Sequence, residues 1–191
     1  MTQPKRTGPV QDKFLELVRG TRDSRHYCNN VIWGNLQTED YARPSSGEWS
    51  TSMGSPTTSK RGPLGVRRAL SSSGRMAALI THCSASRPCA RIWGGTEVMR
   101  GQLTHPLNAL ALPGLKLGVI PARAELALYL GHSFTIFDGR HVHVETFSAR
   151  LDVKDEREVA VYKKAFALLE RSAVYGQEAR ELIEAELTVL T

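Results

Sequence analysis

Long apolar runs are missing from this sequence, and so are most of the signatures that announce an enzyme. No stretch approaches the roughly 18 apolar residues of a spanning helix, and the first residues lack the apolar region of a signal peptide. No membrane role is therefore expected, and the cytoplasm is the expected compartment. Cysteine is scarce: Cys28, Cys83 and Cys89 fit no pattern of paired C-x-x-C knuckles, so free thiols are expected rather than a zinc centre. There is no G-x-S-x-G, no H-E-x-x-H, no Walker loop and no dinucleotide fingerprint. No cofactor and no catalytic residue is expected.

Acidic residues are missing from one region in particular. Between 44 and 93, Glu48 faces Lys60, Arg61, Arg67, Arg68, Arg75, Arg87 and Arg91. That segment carries the whole formal charge of +6, because the remaining acidic and basic side chains balance. It is rich in Ser, Pro, Gly and Arg, includes Ser71-Ser72-Ser73, and lacks a sustained helical period. Such a composition reads as a poorly structured insert. Clustered Lys and Arg also open a second functional reading, a non-specific nucleic-acid-binding module using the stretch 60–91, whose binding would be weak, salt-dependent and sequence-blind.

What is present on either side is more regular. Phe14, Leu15, Leu17 and Val18 recur at near-helical spacing, and a helix is expected over 11–27. Thr96 is the expected N-cap of a helix whose apolar side is Met99, Leu103, Leu107 and Leu110, with Pro106 expected to split or kink it. Leu115, Leu117 and Val119 alternate with Lys116 and Gly118 as a strand closed by Pro121. A hairpin turns around Asp138-Gly139. An odd-length loop of three or five residues would put Phe134 and Ile136 on one face with Val142 and Val144, and burial of a single apolar face favours it over a two-residue loop. Asp155 with Glu158 resembles a capping box before Val159, Tyr162, Phe166, Leu169 and Ala173. After Gly176, the residues Ala179, Leu182, Ile183, Leu187 and Leu190 give a last amphipathic helix whose wet face is Glu178, Glu181, Glu184 and Glu186.

The fold class expected is α+β: a small antiparallel or mixed sheet of 115–120, 133–137 and 141–147, packed by C-terminal helices. The expected organisation is a single domain over 11–191, interrupted by 44–93, with a disordered tail at 1–10.

Two short strings are distinctive in combination. The first holds Leu36, Gln37, Thr38, Tyr41, Ala42 and Arg43; the second holds Gly94, Gly95, Met99, Gln102 and Leu103. With Ile120, Pro121, Phe134, Val144, Glu145 and Thr146 in order behind them, the chain resembles the domain that follows the helix-turn-helix in Xre-type, antitoxin-like transcriptional regulators of high-GC Gram-positive bacteria. The resemblance covers 11–43 and 94–187. It implies a regulatory or partner-binding role, with a small toxin-like protein encoded nearby as the partner. Only about ten residues precede the first family-like helix, too few for a helix-turn-helix of several helices, so specific DNA binding by this chain alone is not expected and a degenerate remnant is one reading. Core packing is the plain reading of Trp33 and Tyr41; Trp33, Leu36, Gln37, Thr38, Tyr41 and Glu145 are the candidates for partner contact.

The segment 44–93 interrupts this resemblance, and back-translation with G- or C-ending codons suggests why. Read two nucleotides later, 43–59 and 75–95 become helix-like strings of the family's kind, which rejoin the actual frame at Gly94-Gly95. The expectation is a frameshifted stretch that packs poorly, and resequencing the gene across it is the direct test.

One strand carries a possible metal pattern. His141, His143 and Glu145 alternate along one face, so a single ion could meet all three. With no second cluster to complete the set, a solvated or partner-facing strand surface is favoured, and no metal is expected.

Overall fold

The computed structural model describes residues 16–18, 20–29, 31–46, 75–81, 94–146 and 149–190. Seven strands form one mixed sheet: β1 Asp23–Cys28, β2 Arg75–Thr81, β3 Leu115–Ile120, β4 Phe134–Phe137, β5 His141–Glu145, β6 Arg150–Val153 and β7 Val174–Tyr175, in the spatial order β6-β5-β4-β1-β2-β3-β7. Among the described residues the helices with both ends defined are α1 Glu39–Ser46, α2 Thr96–Ala109, α3 Glu156–Arg171 and α4 Gly176–Val189, with a 3-10 turn at Gly34–Leu36. The α+β class is as the residue pattern implies.

β1 is the seam. It runs parallel to β2, which runs parallel to β3, and antiparallel to β4, which opens the meander β4-β5-β6. Each face of the sheet has its own apolar layer. Met76, Ala78, Ile80, Leu115, Leu117 and Val119 meet α2, α4 and the 32–41 turn on one side. Tyr27, Leu79, Phe134, Ile136, Val142 and Val144 meet α3 through Val159, Phe166 and Leu169 on the other.

The hairpin has the odd loop. Ile136 pairs with Val142 and Phe137 with His141, leaving Asp138, Gly139 and Arg140 between the strands. Asp138 (φ 49°) and Gly139 (φ 63°) supply the left-handed turn. The Asp138 carboxylate also accepts from the backbone N–H groups of Arg22 and Asp23, at 2.9 Å each, and so ties the turn to the start of β1. Asp155 caps α3 by accepting from Arg157 N and Glu158 N.

Four local expectations are corrected. The helix expected over 11–27 stops short: residues 16–18 are helical, but Asp23–Cys28 is a strand. It escaped notice because Ser24 and His26 occupy buried positions usually filled by apolar side chains. The N-cap of α2 is Gly95, not Thr96, and Pro106 lies inside an unbroken helix with its ring buried in the core. Finally, part of 44–93 is regular. Arg75–Thr81 is a central strand, and Met76, Ala78, Leu79 and Ile80 are buried. A continuous apolar run is what a strand covered on both faces requires, and it has no alternation to advertise it. α1 likewise extends to Ser46, while 47–74 and 82–93 lie outside the described residues.

Candidate functional site

The two strings that carry the resemblance meet in space. Gln102 on α2 is fully buried. Its Nε2 donates to the Leu36 carbonyl at 2.7 Å, and its Oε1 accepts from the Thr38 N–H at 2.8 Å. One side-chain amide thus closes both open groups of the turn between the 3-10 helix and α1. Gln37 Nε2 donates back to the Ile32 carbonyl at 2.7 Å, and Thr38 Oγ1 accepts from Tyr41 N at 3.3 Å. Trp33, Leu36 and Tyr41 are buried in the layer beneath α2. Of the six partner candidates, therefore, five hold this turn, and Glu145 stands apart on β5, two strands away from β1.

Glu145 belongs to a chain of charged side chains on the polar half of the sheet. His143 and Asp152 are directly opposed across β5 and β6, as are Glu145 and Arg150. His143 Nδ1 lies 3.0 Å from Asp152 Oδ1, His141 Nε2 lies 3.0 Å from the same oxygen, and His143 Nε2 lies 3.3 Å from Glu145 Oε1. The Arg150 guanidinium donates to Glu145 Oε1 at 3.0 Å. His143 is buried, whereas Glu145 and Asp152 keep about half of their side chains in water.

Burial alone would lower the His143 pKa, but hydrogen bonds and charge from Glu145 and Asp152 outweigh it and raise the value. The His143 contact, opposed by burial and assisted by Arg150, holds Glu145 below the usual carboxylate range. Burial pushes Asp152 upward, yet its two histidine contacts bring it down. The arrangement fixes a half-exposed carboxylate at a defined place, with the Arg150 cation on one side and the His143 imidazole, a cation only when protonated, on the other. Among the described residues no group of three His, Cys, Asp or Glu could hold a metal ion; the H-x-H-x-E strand is engaged in this pairing instead. Sequence reasoning missed Arg150 and Asp152. Their R-x-D spacing, just beyond the hairpin's return strand, is the complement of H-x-E in an antiparallel pair, and that was the available signal.

On β1, across β4 from this group, His26 is buried, with Nδ1 3.1 Å from Thr135 Oγ1 and Nε2 3.0 Å from Ser24 Oγ. Trp33 stacks on it at 4.4 Å between centroids. Desolvation lowers its pKa to about 3, so it stays neutral.

A family model for a domain of unknown function, DUF5753, matches residues 11–185. The chain belongs to that family. The match extends through β1, β2 and both motif strings, so the Gln102 clamp and the charged edge are both parts of a DUF5753 domain. No curated protein matches the chain. Among solved structures, NucT from Helicobacter pylori is similar at a TM-score of 0.43 and 10% identity, over 92% of this chain and 96% of that one, a likeness too distant to bear on function. No helix among the described residues is long and apolar enough to cross a membrane. Of the basic stretch 60–91, the described residues include only 75–81, where Arg75 is exposed at the start of β2.

Proposed function

We propose that the chain is the regulatory, partner-binding domain of an antitoxin-like transcriptional regulator, that its partner is a small toxin-like protein encoded nearby, and that it acts by binding rather than by catalysis. The observation that supports this reading best is the Glu145 carboxylate, half-exposed and held between Arg150 and the buried His143. A side chain already fixed in one geometry loses little entropy when a basic group docks against it. Charge complementarity of this kind sets partner choice and register. Trp33, Leu36, Gln37, Thr38 and Tyr41 serve the same end indirectly, as the packed turn that keeps α1 and α2 in register.

The test is calorimetric titration of the purified chain with the product of the adjacent small gene, repeated with Glu145→Gln. Association is expected, and the neutral variant should weaken it by about tenfold, or roughly 1.4 kcal/mol. No heat of binding would remove the partner reading, and an unchanged affinity would remove Glu145 from it. Turnover of a generic ester or phosphodiester that disappears in His143→Gln would overturn the non-catalytic half.

A further inference from the structure

Among the described residues β6 is the outermost strand on its side of the sheet, and its sequence Arg150-Leu151-Asp152 is self-complementary. We propose that two copies of this chain associate through β6, antiparallel and centred on Leu151, so that the two sheets become continuous across a two-fold axis.

The phase of the ladder comes first. The hydrogen bond from Thr146 N to Ala149 O closes the β5-β6 turn. Antiparallel pairs alternate between bonded and non-bonded, so Val144 with Leu151 and Val142 with Val153 are the bonded pairs of this ladder. The N–H and C=O of Arg150 and Asp152 then point to the outer edge. A second β6 can bond only through these same positions, and three registers satisfy that condition. One opposes Arg150 to Arg150 of the second copy, and another opposes Asp152 to Asp152. The third sets Arg150 against Asp152 twice over and places the two Leu151 residues face to face. Like charges directly opposite are unfavourable and opposite charges favourable, so charge selects the third register alone.

The two faces of the edge agree with this choice. Arg150 and Asp152 lie on the polar face, where their side chains are 32% and 48% exposed. Leu151 lies on the α3 face with Val144 and is 48% exposed, one of the few large apolar side chains left in water. Pairing covers both copies of it. The contact is isologous and closes after two copies, so it does not propagate into a fibre. Charged residues on a short edge strand ordinarily discourage pairing; here they discourage every register but one. Leu151 is on the opposite face of the sheet from Glu145, but Arg150, which bonds Glu145, takes part in the edge pairing, so the dimer borders the proposed partner contact.

Four residues of edge fall well short of the roughly 1,200 Å² of a standard interface, so association is weak and depends on concentration. Sedimentation velocity on the full chain, over a concentration series into the high micromolar range, should show a monomer–dimer equilibrium. Leu151→Lys, which sets two cations face to face, should weaken it by at least about tenfold with an unchanged thermal midpoint. Leu151→Cys supplies the register. The non-bonded central pair has Cα atoms about 4.5 Å apart, within disulfide range, whereas two copies of Lys154→Cys would sit roughly 20 Å apart along the strands. Under mild oxidation the first variant should give more linked dimer than the wild-type chain, and the second should not. A monomer throughout the series, a dimer indifferent to Leu151→Lys, or equal cross-linking by the two cysteine variants would overturn the proposal.

Discussion

Replacing Gln102 by leucine would keep the side-chain volume close to native and remove the groups that, among the described residues, bond the Leu36 carbonyl and the Thr38 N–H in the 36–38 turn. The Leu36 carbonyl would remain inside, since Leu36 and Gln102 are fully buried, and the part-buried Thr38 N–H would be only partly open to water. Each buried group left unsatisfied costs about 1–3 kcal/mol, which gives about 2–5 kcal/mol for the pair once partial relaxation is allowed. In a domain whose total stability is about 5–15 kcal/mol that is a large fraction. At about 2–4 °C per kcal/mol for a chain of this size, the thermal midpoint should fall by roughly 5–15 °C. Circular dichroism melts and urea titrations read the same quantity. Gln102→Glu separates bonding from packing: its carboxylate still accepts from Thr38 N but confronts the Leu36 carbonyl with charge instead of a donor. Protonation restores the donor, so the stability lost in Gln102→Glu should be partly regained toward pH 4, while the loss in Gln102→Leu should not change with pH. A Gln102→Leu midpoint within a degree of the wild-type value would refute the reasoning, and so would a Gln102→Glu loss indifferent to acid.

The two histidines buried among the described residues should bend the stability curve in opposite directions. His143 has a raised folded pKa, so its contribution is fully present below its unfolded value of about 6.5 and is lost as pH rises through the folded pKa; His143→Gln should flatten that alkaline limb. His26, lowered to about 3, contributes stability above its unfolded value, and several kcal/mol of it should disappear as pH falls from 6.5 toward 3; His26→Asn should remove the acid limb in urea titrations across pH. Gly118→Ala would place a Cβ 2.7 Å from Tyr175 Cε1 and 2.8 Å from Leu79 Cδ2. That should cost about 1–3 kcal/mol by overpacking, and a pairing with Tyr175→Ala that recovers none of the loss would contradict it. Asp138→Ala should raise amide exchange at Arg22 and Asp23 with a loss of about 1–2 kcal/mol; unchanged protection there would mean that the carboxylate does not tie the turn to β1. In gel-shift titrations, the gene's own upstream DNA and unrelated DNA of equal length should give matching weak curves that vanish together with salt. Preferential binding of the upstream fragment at physiological salt would promote the nucleic-acid reading.

Legibility in the sequence followed the clarity of the period. The hairpin register was readable because Phe134, Ile136, Val142 and Val144 alternate with Thr135, His141, His143 and Glu145, despite the apolar Phe137 beside the turn. α3 was readable through its cap and its three-four spacing. β1 was not, because a buried histidine and serine that satisfy each other look polar one at a time. β2 was not, because a strand buried on both faces has no alternation, and its neighbours in sequence are linker-like. β7 has two residues and nothing local to announce it. The metal pattern at His141, His143 and Glu145 was visible on one strand, but the Asp152 and Arg150 that redefine it arrive from the next. The Gln102 clamp could not be inferred, since nothing in two strings so far apart states that one closes the other.

The position of β1 constrains how the chain can be made. Tyr27 pairs with Phe134, more than a hundred positions later, whereas β4, β5 and β6 are sequence neighbours that can pair as soon as they exist. During synthesis β1 therefore emerges long before the strand that will occupy its second edge, and until then it is an open template for intermolecular pairing. Fragments ending before residue 134 should be more prone to aggregate than fragments that begin after β1 and carry the meander with α3. A pause in translation between β3 and β4 would lengthen that exposure, and a chaperone that binds unpaired strands would find its target at residues 23–28.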